Sequence, residues 1–162
     1  MKRILLVALL LFCGAGLFAQ SVTVNDLANI SNLSNAEAHN YLTLGKKFKR
    51  QYIQDVDGNS IEHLNKIGPD NKEETVVIGV GSKLSSGAVL RTVTYTTSTS
   101  QHIINLIGQA KHMGLKMRLQ GADAKNDIYI FDNDFFHIVM FLNHDNVSGS
   151  VEVHQKEYLG FD

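Results

Sequence analysis

Apolar and polar residues alternate along much of the chain, in the spacing typical of strands in an antiparallel sheet. The clearest case is residues 89–97, where Val93 and Tyr95 alternate with three threonines: Thr92, Thr94 and Thr96. This pattern predicts a half-buried strand with the threonines on its solvent side. Similar patterns predict strands at residues 47–53, 75–80, 115–119, 127–131, 135–142 and 147–154.

Two longer segments show helical spacing of apolar residues between recognisable ends. The first follows Ser34, which forms a capping box with Glu37 three residues on, and we expect it to end at Gly45. The second follows a similar box at residues 98–101 and is expected to end at Gly114. At each start, side chains satisfy free backbone N–H groups, and at each end a glycine is expected to take the left-handed conformation that closes a helix.

Two stretches have weaker patterns. Residues 25–32 predict a short helix. Residues 55–71 are ambiguous, because a turn at Asp57-Gly58 is followed by apolar residues at helical spacing, in a segment short enough to be an irregular strand. The residues at that spacing are Ile61, Leu64 and Ile67.

The predicted order is helix and strands, then helix and strands again. Runs of strands between isolated helices favour an α+β fold with helices packed on antiparallel sheet over a parallel βαβ sheet. In each half a helix that ends in glycine is followed by a basic and apolar strand, at residues 47–50 and 116–118. We therefore expect two tandem α-β-β-β units, residues 20–97 and 98–162, within a single domain.

The first residues predict an export signal. Lys2 and Arg3 precede an apolar run at residues 4–12, and Ala19 offers a small residue for cleavage. We expect residues 1–19 to be removed, which leaves residues 20–162 as the working protein in the periplasm or outside the cell. A retained anchor is the alternative, although the apolar run is shorter than the ~20 residues of a membrane-spanning helix. A second alternative is lipid attachment at Cys13.

Cleavage there would remove the only cysteine of the chain, Cys13, together with Lys2 and Arg3. The remaining chain could form no disulfide and no cysteine-based zinc site. Its 13 basic and 16 acidic residues give a net charge of −3, which does not favour nucleic acid as a partner. We expect no cofactor, no nucleic-acid partner and no stable membrane span after cleavage.

One cluster of metal-ligand residue types stands out: Asp132, Asp134, His137 and His144. Carboxylate and imidazole groups bind zinc or iron, and hairpins could bring these side chains together. They are the basis of an alternative prediction, a secreted hydrolase or metal-dependent enzyme. His137 also fits a simpler interpretation, a partly buried histidine with one hydrogen-bond partner.

Three other motifs fail on their spacing. The segment at residues 55–59 lacks the glycine and glutamate positions of a calcium loop, and the segment at residues 79–83 lacks the lysine and helix of a phosphate loop. The basic residues at positions 46–50 could contact a polyanion, but on a strand they would alternate between the two faces and divide the charge.

The sequence therefore favours a non-enzymatic protein that binds another protein or a small ligand in the envelope or the exterior. The partner would meet the sheet or its edge, and Thr92, Thr94 and Thr96 are the candidate contact residues. A third possibility is a structural subunit of an envelope assembly, which a long unpaired edge strand would favour.

Overall fold

A computed structural model describes residues 21–68 and 71–157, so the expected leader at residues 1–19 lies outside the described residues. Three α-helices are described: α1 (Val24–Asn32), α2 (Asn35–Asn40) and α3 (Ser100–His112). A wider π-helical turn, Tyr41–Gly45, continues α2. The strands are β1 (Lys49–Val56), β2 (Asn59–Ile67), β3 (Glu73–Lys83), β4 (Val89–Thr97), β5 (Lys116–Ala122), β6 (Asn126–Asp132), β7 (Phe136–Asn143) and β8 (Gly149–Gln155).

The eight strands form one sheet in the order β1-β2-β3-β4-β8-β7-β6-β5, and every neighbouring pair is antiparallel. The expected α+β class with antiparallel sheet is confirmed. Each helical segment is followed by four strands, so the expected α-β-β-β units are not confirmed; four strand segments were predicted in the second half but only three in the first. Strands β4 and β8 pair at the centre, so β1 and β5 form the two outer edges.

The additional strand in the first half is β2, in the stretch with the ambiguous pattern. Asp57 and Gly58 both have positive φ, at 50° and 77°, and form the two-residue turn between β1 and β2. This is the tight turn whose twist suits antiparallel strands. The apolar residues of β2 at helical spacing have different environments: Leu64 is fully buried, Ile61 is half-buried and Ile67 is exposed.

Capping explains where the first two helices begin. Thr23 and Asp26 form a capping box for α1, and the expected box of Ser34 and Glu37 is present for α2. The box expected at residues 98–101 is absent, since α3 begins after Thr99 without a side-chain cap. The Ser98 hydroxyl instead accepts a hydrogen bond from the Glu73 backbone N–H at 2.8 Å, which ties the segment to β3.

The helix C-termini differ from each other. Gly114, with a φ of 73°, follows the end of α3 as expected. In the first half Gly45 does not take the left-handed conformation; Lys47 takes it, with a φ of 62°. Gly45 is therefore the last residue of the π-helical turn and not the left-handed cap that we predicted.

All three described helices pack on one face of the sheet, which we call the covered face; the opposite face, on which no helix within residues 21–68 and 71–157 packs, is called the bare face. The covered-face side chains of the central strands are fully buried in one hydrophobic core with the helices. They include Val76, Val93, Tyr95, Met140, Val151 and Val153, together with Leu27 of α1 and Leu106 of α3. Gly149 lets α3 approach β8, because a Cβ atom there would lie 2.7 Å from Ile103 Cγ1 and 2.4 Å from the Phe141 carbonyl oxygen.

The buried carboxylate of Asp26 connects α1 to the segment that follows α2. It accepts hydrogen bonds from the Tyr41 hydroxyl, from the Thr23 backbone N–H at 2.7 Å, and from Lys46 Nζ at 2.7 Å. Burial alone would raise the pKa of Asp26, but the hydrogen bonds from Lys46, Tyr41 and Thr23 outweigh it and lower the pKa below its usual value. The same contact, together with burial, raises the pKa of Tyr41 to about 12.

A second buried carboxylate, Glu74, joins the start of the described chain to the core. It accepts hydrogen bonds from the Tyr95 hydroxyl at 2.8 Å and from the Ser21 hydroxyl at 2.9 Å. His102 Nδ1 lies 3.1 Å from the same Tyr95 hydroxyl, so α3 is linked to this group as well. Burial, and then the charge of Glu74, raise the pKa of Tyr95.

Candidate interaction surface on the bare face

The bare face is formed by every second residue of the eight strands. On β4 these residues are Thr92, Thr94 and Thr96, because Val93, Tyr95 and Thr97 point into the core. The alternation expected for this strand is therefore confirmed. The cross-strand neighbours of the threonine stripe on β8 are His154, Glu152 and Ser150, all polar.

Beside these polar residues lies a group of apolar side chains on β5, β6 and β7, which we call the apolar patch. Their neighbours along β6 and β7, such as Phe131 and Met140, are fully buried on the covered face, so the patch residues point away from the helices. Leu119 lies opposite Ile130, and Ile130 lies opposite Val139. The patch comprises Leu119, Ile128, Ile130, Val139 and Phe141; Leu119 is exposed and the others are half-buried.

A polar row crosses four strands at one border of the apolar patch. Asp132 Oδ1 lies 3.0 Å from His137 Nδ1, and the rings of His137 and His154 are 6.0 Å apart. His154 Nδ1 in turn lies 3.0 Å from the Thr92 hydroxyl oxygen. The row therefore joins a residue of the threonine stripe to a residue of the candidate metal group through two histidines. His137 has the partly buried, hydrogen-bonded environment that its strand position indicates.

Charged groups surround both ends of the polar row. Arg118 Nε lies 3.5 Å from one oxygen of Asp132, and Lys156 Nζ lies 3.8 Å from the other. At the second histidine, His154 Nε2 lies 3.2 Å from Glu152 Oε2. Asp132, the carboxylate of the row, thus has two cationic neighbours, and the row forms a hydrogen-bonded polar border beside the apolar patch.

The four residues proposed as a metal site do not converge. Asp132 and His137 are in contact, but His144 lies near Asp127 at the other end of the β6–β7 hairpin, with 3.4 Å between His144 Nε2 and Asp127 Oδ1. Five residue steps along the strands separate the two ends, or about 17 Å. Asp134 is exposed in the turn between β6 and β7. No group of three or more His, Cys, Asp or Glu side chains among the described residues could hold a metal ion.

Both outer strands carry the features that discourage pairing with another strand. The β1 register shifts between Arg50 and Tyr52, and the β5 register shifts between Met117 and Leu119. Such bulges, together with the exposed basic residues at the start of each strand, make an edge a poor template for strand addition. The edges are thus less suited to a partner than the bare face.

The described residues also line three cavities of about 300 Å³ at other places. One lies beside α2, with His39, Arg50 and Glu62 in its wall. A second lies where β1 begins and β2 ends, and a third lies between the β5–β6 turn and the β7–β8 turn. In the first of these, Glu62 Oε1 lies 2.6 Å from both His39 Nδ1 and Arg50 Nε, so its charged groups are paired with one another.

Sequence reasoning found the threonine stripe but missed the apolar patch and the polar row. The patch could have been read from β6 and β7, where both alternating sets of residues are apolar, which indicates a strand with two apolar faces. The row could not be read, since it depends on the pairing of β8 with both β4 and β7.

None of the helices within residues 21–68 and 71–157 is both long and apolar enough to cross a membrane. Comparisons with protein-family models, with curated proteins and with solved structures found no match to this chain.

Proposed function

We propose that this protein is an exported, non-enzymatic binding protein that recognises another protein through the bare face of its sheet. The observation that carries the proposal is the arrangement of that face. An apolar patch lies beside a polar row and a threonine stripe, while all three helices pack on the other side. Apolar side chains with a hydrogen-bonding border are the usual anatomy of a protein–protein interface.

The size of the face suits a protein partner. Eight strands spaced about 4.8 Å apart span about 34 Å, and seven residues along each strand extend about 23 Å. The resulting area of about 800 Å² equals what one partner contributes to a standard interface. Small-molecule sites are instead concave and enclose most of the ligand, and no residue of the apolar patch lines the three cavities described above.

The partner is expected to dock on the face and not on the edge. Both edge strands carry a bulge close to their first residues, and Lys49, Arg50, Lys116 and Arg118 lie there. A structural subunit that assembles by strand addition would need an edge with unpaired, regular backbone groups. This comparison favours a face-binding protein over an edge-assembled subunit.

Export remains part of the proposal. Val22 is fully buried and the Ser21 hydroxyl is bonded to Glu74, so the packed domain already includes the residues that follow the expected cleavage site at Ala19. The working domain would be residues 20–162, in the periplasm or the exterior.

We also infer that the domain consists of two tandem units, at residues 20–97 and 98–162. The sheet order reads outward from the β4–β8 pair as four strands on each side. In both units the first strand, at the outer edge, is bulged near its beginning. Each unit is thus a helical segment followed by a four-stranded meander.

The experiment is a pull-down of the purified domain from the envelope fraction of its own cell, followed by mass spectrometry. The wild-type domain is compared with the double variant I130T/F141T, which replaces two patch residues with a strand-compatible polar residue. The matched control is I53T, which makes a similar change at an exposed residue of the edge strand β1, on the covered side of the sheet. Circular dichroism and thermal unfolding establish that all three proteins are folded.

We expect one or more proteins to be captured by the wild type and the edge control and to be lost with the patch variant. Capture that persists in the folded patch variant but disappears in the edge control would reject face binding. Turnover of a substrate by the wild-type domain, lost in an Asp132 or His137 variant, would favour the enzyme alternative.

A further inference from the structure

The cavity where β1 begins and β2 ends brings together three lysines that are separate in the sequence. Its wall contains Lys47 from the segment before β1, Lys49 from β1 and Lys66 from β2. Asn65 and Ile67 complete the wall, and the cavity encloses about 310 Å³. No carboxylate forms part of the lining among the described residues.

These three lysines differ from their basic neighbours, which are already paired. Lys46 Nζ lies 2.7 Å from Asp26, and Arg50 Nε lies 2.6 Å from Glu62. Among the described residues, no ion pair involves Lys47, Lys49 or Lys66. Lys47 and Lys49 therefore line one cavity, whereas neighbouring carboxylates neutralise Lys46 and Arg50, so the charge of residues 46–50 is divided as we expected.

Several residues of the cavity wall also contact neighbouring groups. Lys66 Nζ lies 5.9 Å above the centre of the buried Phe48 ring, in a cation–π contact. Asn65 is paired with Lys49 across the strands. Glu74 is the residue opposite Lys66 on β3, but its oxygens accept hydrogen bonds from Tyr95 and Ser21.

The backbone at Lys47, which leaves the first helical segment, also departs from the usual preference of its residue type. Its φ of 62° lies in the left-handed region, which side chains other than glycine, asparagine and aspartate rarely adopt. The other described non-glycine residues with positive φ are Asp57, Asn71 and Asn146, all of the tolerant types. A lysine is thus held in an unfavourable conformation beside two other lysines, and such departures from local preference concentrate at functional sites.

We propose that this cavity binds a phosphate group. Lys47, Lys49, Lys66 and Asn65 all belong to the wall and carry N–H donors, and a phosphate dianion has the charge and the oxygen atoms to accept hydrogen bonds from several of them. The phosphate can belong to a free molecule or to a lipid headgroup. The exposed Ile67 in the wall would favour the lipid source, since it could contact the acyl chains beside a bound headgroup.

The test uses the purified domain with inorganic phosphate at fixed ionic strength, followed by phosphorus-31 NMR titration and thermal unfolding. Phosphate should raise the unfolding temperature of the wild type by mass action. Each change, K47A, K49A or K66A, should weaken binding about tenfold, because a charge-assisted hydrogen bond to the anion is lost. The control K83A removes an exposed lysine at the opposite end of β3 and should leave binding unchanged.

K47G separates a binding role from a structural one. Glycine relieves the left-handed backbone, so this variant should unfold at the same or a higher temperature without phosphate while its phosphate affinity falls. A second titration uses vesicles of phosphatidylglycerol, with phosphatidylcholine as the reference. Lysine-dependent binding to phosphatidylglycerol vesicles without binding to inorganic phosphate would assign the headgroup as the ligand.

Phosphate binding by the wild type that K47A, K49A and K66A each reduce would establish the site for a free phosphate. The proposal is overturned if the wild type binds neither inorganic phosphate nor phosphatidylglycerol vesicles. It is equally overturned if K83A weakens binding as much as the cavity variants do.

Discussion

The two faces of the sheet use the same strands for different purposes. On the covered face Val93, Val151 and Val153 are inaccessible to solvent. On the bare face their immediate neighbours Thr94 and Glu152 remain partly accessible. The covered face therefore provides most of the hydrophobic stabilisation, since that free energy follows the apolar area removed from water. The bare face contributes less to stability, and in the proposed function it is the side that meets the partner.

The largest difference between the faces should appear at Gly149, on the covered side. G149A places a methyl group against Ile103 and the Phe141 carbonyl, where neither β8 nor β7 can move easily. We expect a loss of about 3 kcal/mol or more in the free energy of unfolding, measured by urea denaturation. The control G108A, with open space around its new Cβ atom, should instead stabilise α3 by about 0.5–1 kcal/mol. Equal effects of the two changes would contradict the close approach of α3 to β8.

The next effect concerns the ionised Asp26 under the helical layer. D26N removes the charge that accepts hydrogen bonds from Lys46, Tyr41 and Thr23. We expect a loss of about 1–3 kcal/mol at pH 7, because charged hydrogen bonds are lost and Lys46 remains without its partner.

The pH dependence of this loss has a definite sign. The pKa of Asp26 is lower in the folded protein than in the unfolded chain, where it is about 3.9. Its stabilising contribution is therefore complete above about pH 5 and disappears as the pH falls through the folded-state pKa. Urea unfolding of wild type and D26N between pH 7 and pH 2 should show two curves that converge at low pH. A constant difference across this range would exclude an ionised, stabilising Asp26.

A matched pair of valines compares the faces directly. V151T places a hydroxyl in the core between Tyr95 and Met140, and we expect a loss of about 1–3 kcal/mol. V139T makes the same change on the bare face, where water can reach the hydroxyl, and should cost less than about 0.5 kcal/mol. Chemical denaturation of both variants measures the difference. A similar loss for both would mean that Val139 is packed as tightly as the core.

The smallest effect is expected for the threonine stripe. The triple variant T92V/T94V/T96V keeps strand propensity and removes only hydroxyl groups, one of which contacts His154. We expect the free energy of unfolding to change by less than about 0.5 kcal/mol for each site. If the stripe contributes to the interface, partner capture should weaken while thermal unfolding is unchanged. A large destabilisation would assign the threonines a structural role.

Local features of the fold could be predicted from the sequence, because their causes lie within a few residues. The capping box of Ser34 and Glu37 and the alternation of β4 are examples. The capping box predicted at residues 98–101 does not form, because the Ser98 hydroxyl is hydrogen-bonded to Glu73, which is distant in the sequence. The strand β2 was ambiguous because its three apolar residues have different environments. Leu64 is buried on the covered face, Ile61 is half-buried, and Ile67 is exposed at the end of the strand.

The candidate sites were less predictable than the fold. The polar row needs the pairing of β8 with β4 and β7, and the lysine cavity needs Lys66 from a neighbouring strand beside Lys47 and Lys49. Neither pairing leaves a signal in residue spacing. The group of Asp132, Asp134, His137 and His144 shows the opposite case, where closeness in sequence did not produce closeness of all four side chains in space.

The most direct test of binding by the bare face is site-specific photo-crosslinking in the native cell. A photoreactive phenylalanine is placed at Val139 in the apolar patch and, in a separate protein, at Lys111 on the exposed side of α3. We predict a discrete crosslinked protein from position 139, whose yield falls when I130T is added, and no such product from position 111. A product from position 111 alone would contradict the account, because it would place the partner on the helical side of the molecule.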